Sequence, residues 1–536
     1  MLDGVPPSDG HNSRTLQDIG AAALQRRGFD GRGVIIGFAD YGFDLAHPCF
    51  RDPKTGDTRF LHLIDQCAKP DHGSVYDPHA NYYGRSRVIG GAHGTAMASI
   101  AAGSHVDGFA GVAPAAGLIG VHLNLPDHAW KEETEDGRPS WQDWIPEQVP
   151  EWNGWRSYAD ATPIVDALEE IYCRALAVRP SAIVINLSVG TWAGPHNGRS
   201  AVCRKIDEIT ARGEEGIGPP AIVVVGAGNA GADQGHVSAE LARGEAAEIN
   251  WRFAPEAASP EKLDLWFQAA RGSPGLVEII LSTTAHHGTR PHRFELTPGQ
   301  TRSLDIAGQR VGIAKWDAVS AGGFTQVRIA VCPKSFERYL ARGSDGTRQL
   351  NLRIQNGDAS GALTFHAWRE RSDDAHRSVL TGSTRAATLC DFACAELSLV
   401  AGGFATVEAA TAVADFPPAS AGPVAFPQSP RHARAPHLSA PAHNVSAARS
   451  KSSGFMKTSG TSAATALVSG AAALVYQRAA SQGRRMSRRE LLSELTGLHL
   501  DGLETDCSAL HWDPVLGYGP VAIKDVPPTK HQEIAT

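Results

Sequence analysis

The chain has 536 residues, 42% of them hydrophobic and 20% charged, with 50 Lys and Arg against 57 Asp and Glu for a net charge of −7. That length allows a large core and more than one domain, the composition is that of an ordinary water-soluble globular protein, and the charge gives no basis for nucleic-acid binding. No run of 18 apolar residues occurs, so neither a transmembrane helix nor a membrane partner is expected.

Residues 1–32 are polar and lack the basic-then-apolar pattern of a signal peptide. The expectation is a cytoplasmic protein, with a secreted mature form as the alternative. Gly33 to Asp44 then reads as a short apolar strand ending on Asp40, followed by a turn at Gly42. In Gly91 to Gly103, His93 enters a helix of small residues able to pack tightly under a sheet. A strand from Leu118 to Leu123 and a helical run from Ile164 to Ala177 flank an insertion at 125–160. That insertion carries Trp130, Trp141, Trp144, Trp152 and Trp155, five of the eleven tryptophans. Tryptophan is enriched where proteins recognise partners, so the loop is a candidate contact for substrate or inhibitor; the alternative is a loop stapled to the body by its aromatics.

Further along, Asn186 to Gly190 reads as a strand, and Ala221 to Gly231 as a buried strand ending in the glycine-flanked Asn229. Ser462 stands 233 positions after Asn229, and in that gap the pattern changes. Leu263, Leu265 and Phe267 alternate with polar residues or Trp266, and Leu350, Leu352 and Ile354 with polar ones. Residues 276–281, 327–331 and 363–368 are further strand candidates, separated by turn signals such as Pro298-Gly299 and Asn356-Gly357. Period-two strands with regular turns indicate a β-sandwich or jelly roll, placed at 250–385 with a structural or partner-docking role. Residues 413–433, rich in proline, alanine and serine, read as an extended connection. Finally Gly460-Thr461-Ser462 precedes a small-residue apolar run to Val475. A serine there would sit in the first turn of a buried helix, beside free backbone N–H groups and the positive end of the helix dipole. Those surroundings suit a nucleophile whose reaction develops an oxyanion, although Gly-Thr-Ser also caps ordinary helices.

Taken in order, Asp40, His93 and Ser462 with Asn229 resemble the subtilisin family of serine peptidases. Residues 111–121, 186–190, 434–441 and 517–521 are similar to other family stretches, and the resemblance covers roughly 16–240 and 390–527. It implies an α/β fold, a mostly parallel subtilisin-like sheet flanked by helices, with an inserted all-β domain like those of some bacterial relatives. The expected domains are 1–245 and 390–530 for the two parts of the peptidase and 250–385 for the insertion. It implies hydrolysis of peptide bonds through an acyl-enzyme in peptide or protein substrates. Ser462 would be the nucleophile, His93 its base, Asp40 the group that orients the imidazole, and Asn229 an oxyanion donor. Ser188, Val189, Gly190 and Gly228 would bind the substrate, the first three by pairing with an extended peptide. The bland alternatives are a turn cap for Asp40, a left-handed turn for Asn229 and a plain core strand for Ser188 to Gly190. Three departures stand out: Tyr41 after the aspartate, Ala96 in the histidine helix, and Ala466 where the family usually has proline. They leave open a peptide ligase or transpeptidase, and, from another class, a pseudoprotease that binds peptides through its cleft.

No metal or cofactor is expected in the chemistry. Structural calcium is common in the family, but no ligand set can be assigned. The eight cysteines are scattered, unlike a disulfide scaffold; Cys173 and Cys203 are expected to be buried thiols. Neither the pair Cys390 and Cys394 nor the cluster His286, His287 and His292 has the makings of a zinc site.

Overall fold

The computed structural model describes residues 13–52, 54–66, 93–123, 161–231, 233–255, 261–269, 276–281, 292–306, 309–317, 324–331, 348–356, 361–370, 378–384, 386–405, 434–498 and 512–524. The tryptophan-rich insertion, His286 and His287, and residues 413–433 therefore lie outside the described residues.

Two short helices, α1 (Ser13–Asp18) and α2 (Ala21–Arg26), lead into β1 (Val34–Asp40), β2 (Phe60–Asp65), α3 (His93–Ala102), β3 (Gly117–His122), α4 (Thr162–Ala177), β4 (Ala182–Leu187), α5 (Ala201–Glu214) and β5 (Ala221–Gly226). After an insertion the chain returns as β17 (Leu399–Phe404) and β18 (Leu438–Pro441). A hairpin of β19 (Val445–Ala448) and β20 (Phe455–Thr458) and the helices α6 (Thr461–Ser481) and α7 (Arg488–Thr496) follow. Seven of these strands form one parallel sheet in the order β18-β17-β5-β4-β1-β3-β2.

Every residue of β1, β4 and β5 is buried, because helices cover both faces of the sheet. One face packs on α3 and α6, the other on α4 and α5. In α4 the apolar stripe Ile164, Leu168, Ile171 and Ala175 recurs at helical spacing and turns inward. Cys173 falls off that stripe and is exposed, contrary to the expectation of a buried thiol, while Cys203 of α5 is buried. The alanine-rich helix α6 is buried almost all round, which only small side chains allow against a neighbouring helix and a sheet.

The insertion comprises β6 (His236–Leu241), β7 (Ala246–Phe253), β8 (Glu261–Ala269), β9 (Leu276–Leu281), β10 (His292–Leu296), β11 (Thr301–Ile306), β12 (Gln309–Trp316), β13 (Phe324–Val331), β14 (Arg348–Gln355), β15 (Leu363–Arg369) and β16 (Val379–Leu380). They form two antiparallel sheets, β10-β9-β14-β7-β16 and β11-β12-β13-β8-β15-β6. Trp251, Leu350 and Leu352 of one sheet share a core with Leu265, Phe267 and Phe365 of the other, which makes a sandwich. Strict alternation of buried and half-buried residues along β14 is the pattern legible in its sequence. The sheets begin at His236, ahead of the boundary expected at 250: in β6 Val237, Ala239 and Leu241 alternate with polar residues and pack on the sandwich core. The sandwich seats on the loops after β4 and β5: Trp192 and Ala230 pack with Phe324, Trp368 and Ala387.

Candidate active site

Strands β1, β4 and β5 are parallel and adjacent, so their carboxyl ends converge on one edge of the sheet. Such an edge is where open α/β sheets collect functional groups. Asp40 is the last residue of β1 and is fully buried. Its Oδ1 accepts from the Tyr41 N–H at 2.6 Å and faces Nδ1 of His93 at 2.6 Å. An imidazole held through Nδ1 presents its other nitrogen, Nε2, for proton transfer. His93 itself is 37% exposed, so its ring reaches solvent while its partner does not.

The turn after Asp40 also holds the helix that carries His93. Gly94 N donates to Tyr41 O at 2.7 Å and Thr95 N to Gly42 O at 3.0 Å. These bonds satisfy two of the N–H groups that a helix start leaves without intrahelical partners. Gly42 N in turn donates to Nδ1 of the buried His122, whose basicity burial lowers. Aspartate and histidine are thus positioned by one backbone lock.

Ser462 is the second residue of α6. Its hydroxyl donates to the carbonyl oxygen of Ser188 at 3.0 Å, just past the end of β4. The side chain of Ser188 returns the contact, donating to Ser462 O at 3.4 Å while accepting from Asn186 Nδ2 at 2.7 Å. Asn229 lies just past β5, and its Oδ1 accepts from both the N–H and the hydroxyl of Thr461, each at 3.0 Å. With the oxygen fixed by two donors, the Nδ2 end of the amide is left as donor. Thr461 Oγ1 also accepts from Gly228 N at 3.2 Å. One threonine therefore ties Gly228, Asn229 and the start of α6 together. Sequence reasoning did not give Thr461 this role, although its place between Gly460 and Ser462 at a helix start is the signal that could have.

The expected site residues thus fall at one sheet edge in three separate hydrogen-bonded groups: Asp40 with His93, Ser462 with Ser188, and Asn229 with Gly228 through Thr461. Val189 is buried, whereas Ser188, Gly190, Gly228 and Asn229 are partly exposed. Among the described residues no group of three or more His, Cys, Asp or Glu is arranged to hold a metal ion. No helix among them is long and apolar enough to cross a membrane.

The model of the subtilase family, Peptidase_S8, matches residues 31–251 and 309–519. The structure of the Clostridium perfringens CspB protease superposes with a TM-score of 0.67 at 19% identity, covering 96% of this chain and 97% of that one. The serine protease MycP1, a component of the type VII (ESX-1) secretion system, gives 0.36 at 16% identity over 97% and 89%. No curated protein sequence matches the chain. The likeness to CspB extends the shared fold over nearly the whole length, insertion included, and the family model spans both parts of the sheet and its converging strand ends. The chain belongs to the subtilase family of serine peptidases.

Proposed function

We propose that this chain is a serine endopeptidase in which Ser462 attacks the scissile carbonyl of an extended peptide. The observation that carries the reading is the 2.6 Å contact between buried Asp40 and His93 Nδ1, at the edge where Ser462 also lies. The hydroxyl of Ser462 turns from Ser188 O to Nε2 of His93, which takes its proton as the carbonyl carbon is attacked. Asp40 holds the ring in the tautomer that leaves Nε2 unprotonated and stabilises the imidazolium that forms. Nδ2 of Asn229 and the N–H of Ser462 receive the developing oxyanion. His93 then protonates the leaving amine, and water, deprotonated by the same imidazole, releases the acyl group. The peptide pairs with Ser188 to Gly190, whose strand end is partly exposed.

The test is hydrolysis of an internally quenched peptide library by the full chain. Wild type is expected to cleave internal peptide bonds, with Ser462→Ala and His93→Ala inactive. Equal cleavage by Ser462→Ala and wild type contradicts the assignment.

A further inference from the structure

Asp40, His122 and Asp65 are register partners at the carboxyl ends of β1, β3 and β2. Partners on neighbouring strands put their side chains on the same face of a sheet. Phe38, Leu118 and Leu63 stand an even number of positions earlier on the same three strands and lie in the core that α3 and α6 cover. A row of carboxylate, imidazole and carboxylate therefore crosses the face on which α3 carries His93.

The ring of His122 is 3% exposed, and its Nδ1 accepts from Gly42 N at 2.8 Å. Because an N–H donates to Nδ1, the neutral ring carries its proton on Nε2. Among the described residues that Nε2 has no hydrogen-bond partner, and neither has Asp40 Oδ2. A buried donor without an acceptor costs stability that leucine at this position would keep. What leucine could not supply is the acceptor for Gly42. The carbonyls of Tyr41 and Gly42 take the N–H groups of Gly94 and Thr95, so through this turn the imidazole reaches the first turn of α3 and the seat of His93.

We propose that His122 is a positioning residue for the pair Asp40 and His93: as an uncharged acceptor it holds the turn that seats His93, and protonating it disengages the pair. The proposal rests on the endopeptidase reading above. A proton added at Nδ1 turns the acceptor into a donor and sets it against the Gly42 N–H. The new charge also lies beside Asp40, where it competes with His93 for the carboxylate. The titratable groups in its row are Asp40 on β1 and Asp65 on β2, with His93 on α3 held by Asp40. Both carboxylates favour the cation, but burial outweighs them and keeps the ring less basic than the ordinary imidazole value of 6.5. The uncharged ring therefore persists at neutral pH.

The test is the pH dependence of quenched-peptide hydrolysis by the full chain, read only where circular dichroism shows the fold unchanged. Wild type is expected to lose kcat/KM about 10-fold per pH unit as His93 protonates, and about 100-fold per unit at lower pH, as His122 protonates too. His122→Leu, which cannot accept from Gly42 N, is expected to lower kcat about 10- to 100-fold at about pH 8, with KM little changed. His122→Asn, whose Oδ1 can accept where Nδ1 did, is expected to recover most of that loss and to keep the slope of about 10-fold throughout. A wild-type slope that never exceeds about 10-fold per unit overturns the proposal, even if neither variant folds. So does a folded His122→Leu with wild-type kcat, or a His122→Asn that retains the steep limb. Folded wild type that neither cleaves the peptide nor is labelled at Ser462 by a fluorophosphonate defeats the endopeptidase reading instead, and the proposal with it.

Discussion

The imidazole of His196 lies face to face with the indole of Trp368, ring centroids 3.9 Å apart and planes 11° from parallel. His196 belongs to the loop that follows β4, and Trp368 to β15 of the inserted sandwich. Behind Trp368 stand two more imidazoles, His236 and His366, whose Nε2 and Nδ1 are 2.9 Å apart. In the same seam Gly194 N donates to Asp264 Oδ2 of the sandwich at 2.6 Å. Gly194 is pressed from the other side by Asp391, whose Cγ would be 2.5 Å from any Cβ added there. The insertion therefore braces the loop that continues Ser188 to Gly190.

Replacing Trp368 by alanine removes the ring stacked on His196 and leaves a cavity at the joint. Buried Trp→Ala changes cost about 3–5 kcal/mol. Calorimetry is expected to show a lower Tm for Trp368→Ala, and peptide hydrolysis a raised KM, because the cleft strand loses its brace. An unchanged Tm contradicts the packing described.

The seam also sets how stability follows pH. Burial holds His196 and His236 down to about 3 and His366 to about 4, below an ordinary imidazole value of 6.5. The unfolded chain binds protons there before the folded one does, so stability present above 6.5 is lost as pH falls toward these values. Asp264 and Asp391 act oppositely. Burial pushes both up to about 6 from 3.8, so the fold carries a charge penalty above 6 that relaxes as pH falls through this window. Below the carboxylate window only the histidine trend remains, and Tm is expected to drop steeply.

Asp264→Asn separates the two trends. The new amide oxygen can keep the Gly194 and Trp266 donors, and the Gln326 amide, 2.6 Å away, can turn to accept. The Tm difference between the Asp264→Asn variant and wild-type protein should move in favour of the substitution between about pH 4.5 and about pH 7.5. A pH-independent difference would show that Asp264 carries no such penalty.

At the site, Asn229→Ala removes the proposed side-chain oxyanion donor. The expected loss in kcat is about 10²–10³-fold with KM little changed, a range established on a member of this same family. Thr461→Val leaves Asn229 in place but removes two of its group's hydrogen bonds. Each is worth about 0.5–1.5 kcal/mol, so kcat should fall about 3–10-fold per bond, with Thr461→Ser restoring it. A loss in KM alone for both variants would point to substrate binding and away from oxyanion stabilisation.

The parallel sheet and the positions at its edge were legible because each rests on a local pattern: a continuous apolar run for β1 and β5, small residues for α3 and α6. The sandwich was legible from alternation, as in β14. The seam was not, because His196, His236 and Trp368 are far apart in sequence and each alone looks like any buried ring. The alternation of Val237, Ala239 and Leu241 in β6 was there to read but is only six residues long, and the offset of Cys173 from its helix stripe becomes plain only with the packing. Nor does any spacing rule tell that the Ser462 hydroxyl rests on Ser188 O, a backbone contact across 274 residues.

The central claim is that Ser462 is a nucleophile activated by the pair Asp40 and His93. Mass-spectrometric mapping of the adduct formed with a fluorophosphonate tests it most directly. The account predicts one adduct per chain on Ser462, absent in Ser462→Ala and formed far more slowly in His93→Ala. Folded wild-type protein that forms no adduct, or forms it elsewhere, would contradict it.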